Sequence, residues 1–133
     1  MIYNFVINRL EKAGEPVRNI FPVGVNIDDI YTADNDFAFT VYTFKKRTPE
    51  YDLEGELHHY TEEVLVDFIG RKYDSIHAMY DAAEKSFTVS DLDTGAGEYI
   101  FSAVCSCPEP DAFDVEYGLL RRTMLVTIQW CPL

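Results

Sequence analysis

Hydrophobic and polar positions change at Gly70 from the period of a strand to that of a helix. Before it, residues 60–69 alternate, with Tyr60, Val64, Val66 and Phe68 on one face, as in a half-buried strand. After it, Tyr73, Ile76, Tyr80, Ala83 and Phe87 recur at spacings of three and four, one stripe of a helix. Gly70 with Arg71-Lys72 is the connection. A strand feeding directly into an amphipathic helix needs an apolar surface for that helix to cover, and the sheet containing the strand is the nearest one.

The same reading extends to both ends. Residues 2–13 carry Ile2, Phe5, Val6, Leu10 and Ala13 on one side of a helix, and Gly14 follows as a stop. Residues 20–25 read as a short strand, with Pro22 at a start or an edge. Residues 26–36 are acidic and turn-like, with Ile27 and Ile30 as anchors. Residues 37–44 are a strand with aromatic side chains on both faces, which calls for helices on one side and a partner on the other. Residues 45–59 show no period and predict a hairpin arm or a loop. An acidic turn at 88–97, a strand at 98–106, a proline-bearing acidic loop at 107–114 and a long strand at 115–130 complete the chain. In that last strand Met124, Val126, Ile128 and Trp130 point inward, and Thr123, Thr127 and Gln129 outward. The order predicts a single α+β domain over 1–133: a mainly antiparallel sheet of four to five strands with two helices on one face.

Composition narrows the function more than the fold. The chain has 133 residues, 23 acidic against 11 basic, for a net charge of −12. Such a balance opposes phosphate binding, so sequence-specific nucleic-acid recognition is not expected. No apolar run approaches the roughly 20 residues of a membrane span, and the N-terminus lacks the pattern of a signal peptide, so a cytoplasmic product and no membrane contact are expected. Cys105, Cys107 and Cys131 are odd in number and fit no zinc or redox spacing, and Cys105 and Cys131 sit in apolar strand-like sequence, which predicts buried free thiols.

Candidate chemistry is thin. Asp91, Asp93, Gly95 and Glu98 resemble a calcium loop, but with glycine and glutamate at the wrong positions. His58 and His59 adjoin a strand and should point to opposite faces. His77 stands alone on its helix. Cys105 lies on an apolar strand face, where it would be a poor thiolate. Neither catalysis nor a cofactor or metal is expected.

What remains is surface. Lys45, Lys46 and Arg47, the pair Arg71-Lys72 and the pair Arg121-Arg122 stand against a strongly acidic remainder. Between Tyr73 and Gly118 the one basic residue is Lys85. Segregated charge of this kind suits head-to-tail association of copies. Together with Tyr51 and Leu53 from the 45–59 segment, these residues are the candidate subunit or partner interface.

The order of elements resembles the tail-terminator and tail-completion (head–tail joining) proteins of long-tailed bacteriophages, including the prophage minor tail components. The similar features are the N-terminal helix, Ile20-Phe21-Pro22-Val23 and Phe39-Thr40-Val41-Tyr42 before a long loop. Next come Glu63 to Gly70 running through Tyr73-Asp74-Ser75-Ile76 into the helix, and Asp114-Val115-Glu116 before the terminal strand from Arg122 to Trp130. The acidic turn at 91–97 and the Cys-x-Cys strand have no counterpart in that pattern. The resemblance implies a non-catalytic virion component made in the bacterial cytoplasm. It would form a ring, typically a hexamer, between the tail-tube protein and the head–tail connector, with genome DNA passing through an acidic lumen. Two other classes fit the composition: a small acidic inhibitor or DNA mimic that blocks a basic partner, and a small-molecule-binding α+β domain.

Overall fold

The computed structural model of the protein describes residues 2–133. In chain order its elements are α1 (Ile2–Lys12), β1 (Ile20–Pro22), α2 (Ile27–Ile30), β2 (Ala38–Tyr51), β3 (Leu57–Gly70), α3 (Tyr73–Phe87), β4 (Val89–Asp93), β5 (Glu98–Ser106), β6 (Ala112–Asp114) and β7 (Leu119–Pro132). The strands form one sheet in the order β1-β2-β3-β7-β5-β4, with β6 beside β7. All pairings are antiparallel except β1 with β2. The fold is α+β, as expected, with seven strands where four to five were predicted.

The additional strands are short and depend on tertiary pairing. Residues 89–93, within the expected acidic turn, pair with β5 and turn Val89 and Leu92 toward the core. Residues 112–114, expected as loop, pair with Leu119 to Arg121 of β7 beyond the point where β5 ends opposite Leu125. Neither segment has enough apolar alternation to announce itself as a strand.

One face of the sheet carries the main core. Val64, Val66 and Phe68 of β3 and Met124, Val126, Ile128 and Trp130 of β7 are buried there beneath α1 and α3. Ile2, Phe5, Val6 and Leu10 of α1 are buried, and Gly14 leaves that helix with φ +89°, a conformation glycine adopts without strain. On α3 the stripe is Ile76, Met79, Tyr80, Ala83 and Phe87. Tyr73, predicted to belong to it, is instead 56% exposed and lies against the His77 ring at 4.1 Å between centroids.

The second face departs from expectation. Phe37, Phe39 and Leu119 are buried against Ile27 and Ile30 of α2, Ile69 and Tyr117, so the chain itself covers part of the face assigned to a partner. The turn-like segment supplies that cover because Asn26 caps it, its Oδ1 accepting from the Asp28 amide at 3.0 Å. Asp28 and Asp29 in the first turn also suit the helix dipole.

The 45–59 segment is a hairpin arm made by extension of β2 and β3. Asp52 closes its tip: the Asp52 amide donates to the Glu56 carbonyl at 2.8 Å, and Asp52 Oδ1 accepts from the Glu54 and Glu56 amides at 2.9 Å each. Two register shifts break the alternation, one leaving Lys45 extra on β2 and one leaving His58 extra on β3. The second bulge corrects the expectation for the histidines. Instead of pointing to opposite faces, His58 and His59 meet with Nδ1 atoms 2.8 Å apart, beside Phe101.

Candidate assembly interface

Five of the seven basic residues predicted to face a partner have partners within the chain. Arg47 sits where the arm leaves the sheet. Its Nε and Nη2 donate to Glu62 Oε1 at 3.0 and 2.8 Å, and Glu62 is 3% exposed in the inward row of β3. Register decides this pairing, since Arg47 lies directly opposite Glu62. The rings of Tyr3, Tyr60 and Trp130 surround the guanidinium at 6.0, 5.6 and 5.2 Å. Hydrogen bonding to Glu62 holds the Arg47 pKa above its ordinary value. This arginine fastens the arm to the core.

Arg71 and Lys72 fasten the second face. Arg71 donates to the Tyr31 hydroxyl and to the Thr32 carbonyl, the latter at 2.9 Å, and its guanidinium lies 4.9 Å from the Tyr31 ring centroid. Lys72 pairs with Asp36 at 2.9 Å, a hydrogen bond that lowers the Asp36 pKa and raises that of Lys72. Both contacts pin residues 31–36 across the end of the sheet.

Arg121 and Arg122 hold the loop that follows β5. Arg122 donates to Asp111 at 3.0 Å, Asp111 also meets His77 Nε2 at 3.1 Å, and the guanidinium lies 4.5 Å from the Tyr80 ring. Arg121 reaches Glu109 at 3.9 Å. His77, read as a solitary helical histidine, therefore belongs to a small network joining α3, the loop and β7.

Four of the nine candidates remain outside such pairs. Lys45 and Lys46 are exposed at the arm's base and have no carboxylate partner among the described residues. Tyr51 is 63% exposed and Leu53 fully so, at the arm's tip. Sequence reasoning missed a second basic surface. Arg9 and Lys12, in the last turn of α1, and Lys85, in the last turn of α3, line an open groove of 590 Å³ together with Ala13, Ala78 and Ala82. These residues lie far apart in the chain, and only the packing of α1 on α3 brings them together.

Chemistry remains sparse in three dimensions. Burial pushes the Cys105 thiol up to about 12, which keeps it protonated. The acidic turn is a hairpin between β4 and β5, closed by Asp93 Oδ1 accepting from the Gly95 amide at 2.8 Å. Among the described residues, no three His, Cys, Asp or Glu side chains are arranged to hold a metal, and no helix is long and apolar enough to cross a membrane.

Comparison with known proteins separates sequence from fold. Neither a family model nor a curated protein matches the sequence. A chain of the virion of a native gene transfer agent (GTA) particle superposes with a TM-score of 0.68. The match covers 94% of this chain and 90% of that one, at 8% identity. The likeness is one of fold. It extends over both helical and strand portions, since so little of either chain is left out.

Proposed function

We propose that this protein is a structural component of a phage-like virion, acting by assembly and not by catalysis. The observation that carries the reading is the near-complete superposition on a chain of the GTA virion. In its finer form the proposal is a tail-terminator or head–tail joining role. Copies associate in a ring, typically a hexamer, on the end of the tail tube, which stops tube growth and offers a surface to the head connector.

The distribution of side chains supports this form. The arm presents Lys45, Lys46, Tyr51 and Leu53 as exposed side chains, as an intersubunit or tube-docking element would. Away from α2, the second sheet face is open and carries Thr43, Thr61, Glu63, Leu65, Leu125, Thr127 and Gln129 in neighbouring strands. Facing a lumen, these hydroxyl, amide and carboxylate groups would give a passing duplex little to grip. The helices would then lie outside the ring.

Deletion of the coding sequence from a particle-producing cell tests the role directly. Overlong tails without heads, seen by electron microscopy and corrected by the intact gene, are the expected result. Particles of normal length and normal head attachment would overturn it. Loss of a cellular inhibitory activity with particles intact would favour the acidic-inhibitor class instead.

A further inference from the structure

Two surfaces of this chain are complementary, and each lacks a counterpart within it. The first is the arm tip. Glu50, Asp52, Glu54 and Glu56 alternate there with Tyr51, Leu53 and Leu57, which are 63, 107 and 40% exposed. Leu53 is fully exposed. The turn built on Asp52 holds the tip in one shape, so a partner would meet a formed knob and need not order it. Exposed apolar side chains ringed by carboxylates fit an apolar surface ringed by cations.

The second surface is the groove between α1 and α3. Its lining includes Ala13, Ala78 and Ala82, small side chains that leave room for a larger one, and Arg9, Lys12 and Lys85 against the single carboxylate of Asp81. None of the three cations has an ion-pair partner among the described residues. Arg9 is held in place by packing: it lies 5.5 Å from the Phe5 ring and donates to the Ser86 carbonyl at 3.5 Å. Ser86 in turn donates from Oγ to the Arg9 carbonyl at 2.5 Å, locking the two helices at the groove. Cations in the last turns of two helices suit the helix dipoles, but that role does not require them to converge on one depression. In a chain of net charge −12 this concentration of unpaired positive charge is the place for an acidic ligand.

We infer that the arm tip of one copy docks in the α1–α3 groove of a second copy. Leu53 seats against Ala78 and Ala82, with Glu54 and Glu56 facing Lys12 and Lys85. The inference rests on the ring reading above and names the contact that builds it. Tip and groove are different surfaces, so the contact is heterologous and propagates head to tail, closing into a ring where the rotation allows. Charge complementarity selects a second copy as the occupant, because the tip that fits this groove is present on every chain. The contact weakens with added salt.

Paired charge reversals test the contact. The tip variant Glu54→Lys/Glu56→Lys and the groove variant Lys12→Glu/Lys85→Glu alter exposed side chains, and circular dichroism verifies their folding. By native mass spectrometry and sedimentation over a concentration series at low salt, each variant alone should assemble at least ~10-fold more weakly than the wild type. Mixed together, they should assemble again as alternating copies, since the wild-type tip meets the wild-type groove and the reversed tip meets the reversed groove. A chain carrying all four reversals should recover assembly. Wild-type assembly indifferent to the reversals, or weakened by the groove variant and not by the tip variant, would overturn the contact while leaving the ring intact. A wild type monomeric at every concentration would remove both.

Discussion

Arg47 and Glu62 face each other across β2 and β3, with Nη2 2.8 Å from Oε1, and only the arginine reaches solvent. The glutamate is 3% exposed, so the arginine takes the place of the water it has lost. Arg47→Ala strands a buried carboxylate and also removes the cation from three aromatic rings. We expect a loss of about 2–4 kcal/mol in urea unfolding, below the largest buried-pair effects because the arginine side chain is about a third exposed. Glu62→Gln should cost less than Arg47→Ala, since it keeps the shape and removes the buried charge. Lys45→Ala, two residues away and exposed, should lie within about 0.5 kcal/mol of wild type.

Gly70 joins β3 to the turn before α3 in a space that is tight for a methyl group. A Cβ there would lie 3.2 Å from Ala38 Cβ and 3.4 Å from both Ile76 Cγ2 and the Phe37 carbonyl oxygen. Gly70→Ala should therefore destabilise by about 1–2 kcal/mol, through crowding and not through backbone strain. Combining it with Ala38→Gly, which removes the nearest of these atoms, should cost less than the sum of the two single changes. A double variant no better than the sum of its parts would point to the backbone contact at Phe37 as the tighter one.

Tyr117 ties the 115–118 turn to α2 by donating to Asp28 at 2.5 Å. That hydrogen bond, with burial and the carboxylates around it, pushes the phenol up from 10.0 to about 12. A raised acid pKa means that the neutral form is the one stabilised in the fold. Its contribution is complete below pH 10 and lost as pH rises toward 12. Ultraviolet titration should show a late-ionising tyrosine that disappears in Tyr117→Phe, leaving Tyr80, also raised to about 12, and Tyr99, raised by burial and by Asp91. α2 should loosen over the same interval.

Rows of core residues were legible because they rest on local periodicity. Val64, Val66 and Phe68, Met124 through Trp130, and the α1 stripe all occupy the faces their spacing predicts. The arm was visible as one of two alternatives, but its bulges at Lys45 and His58 were not, since an extra residue leaves no mark on a stretch without period. Which cations face outward was also hidden. Arg47 resembles its neighbour Lys46 in sequence, and only the register that sets Glu62 opposite distinguishes them. Arg9, Lys12 and Lys85 gave no joint signal because helix packing, not spacing, brings them together.

Arg71 offers a separable test of the second face. Its backbone amide donates to the Phe37 carbonyl at 3.3 Å, while its side chain reaches Tyr31 and Thr32, so one residue holds both ends of the 31–37 segment. Lys72 holds the same segment through Asp36, but both partners of that pair are more than half exposed. Solvent and salt screen such a pair, whereas the arginine contact combines hydrogen bonds with ring stacking. Arg71→Ala should thus speed amide exchange from α2 through Phe37 by about 10-fold or more, as expected for loss of about 1–2 kcal/mol of local stability. Lys72→Ala should leave it nearly unchanged, and neither variant should alter exchange in α1 or α3. Faster exchange in the helices would mean that the two faces of the sheet are coupled through β2. In that case Arg71 contributes to the whole fold and not only to the flap formed by α2.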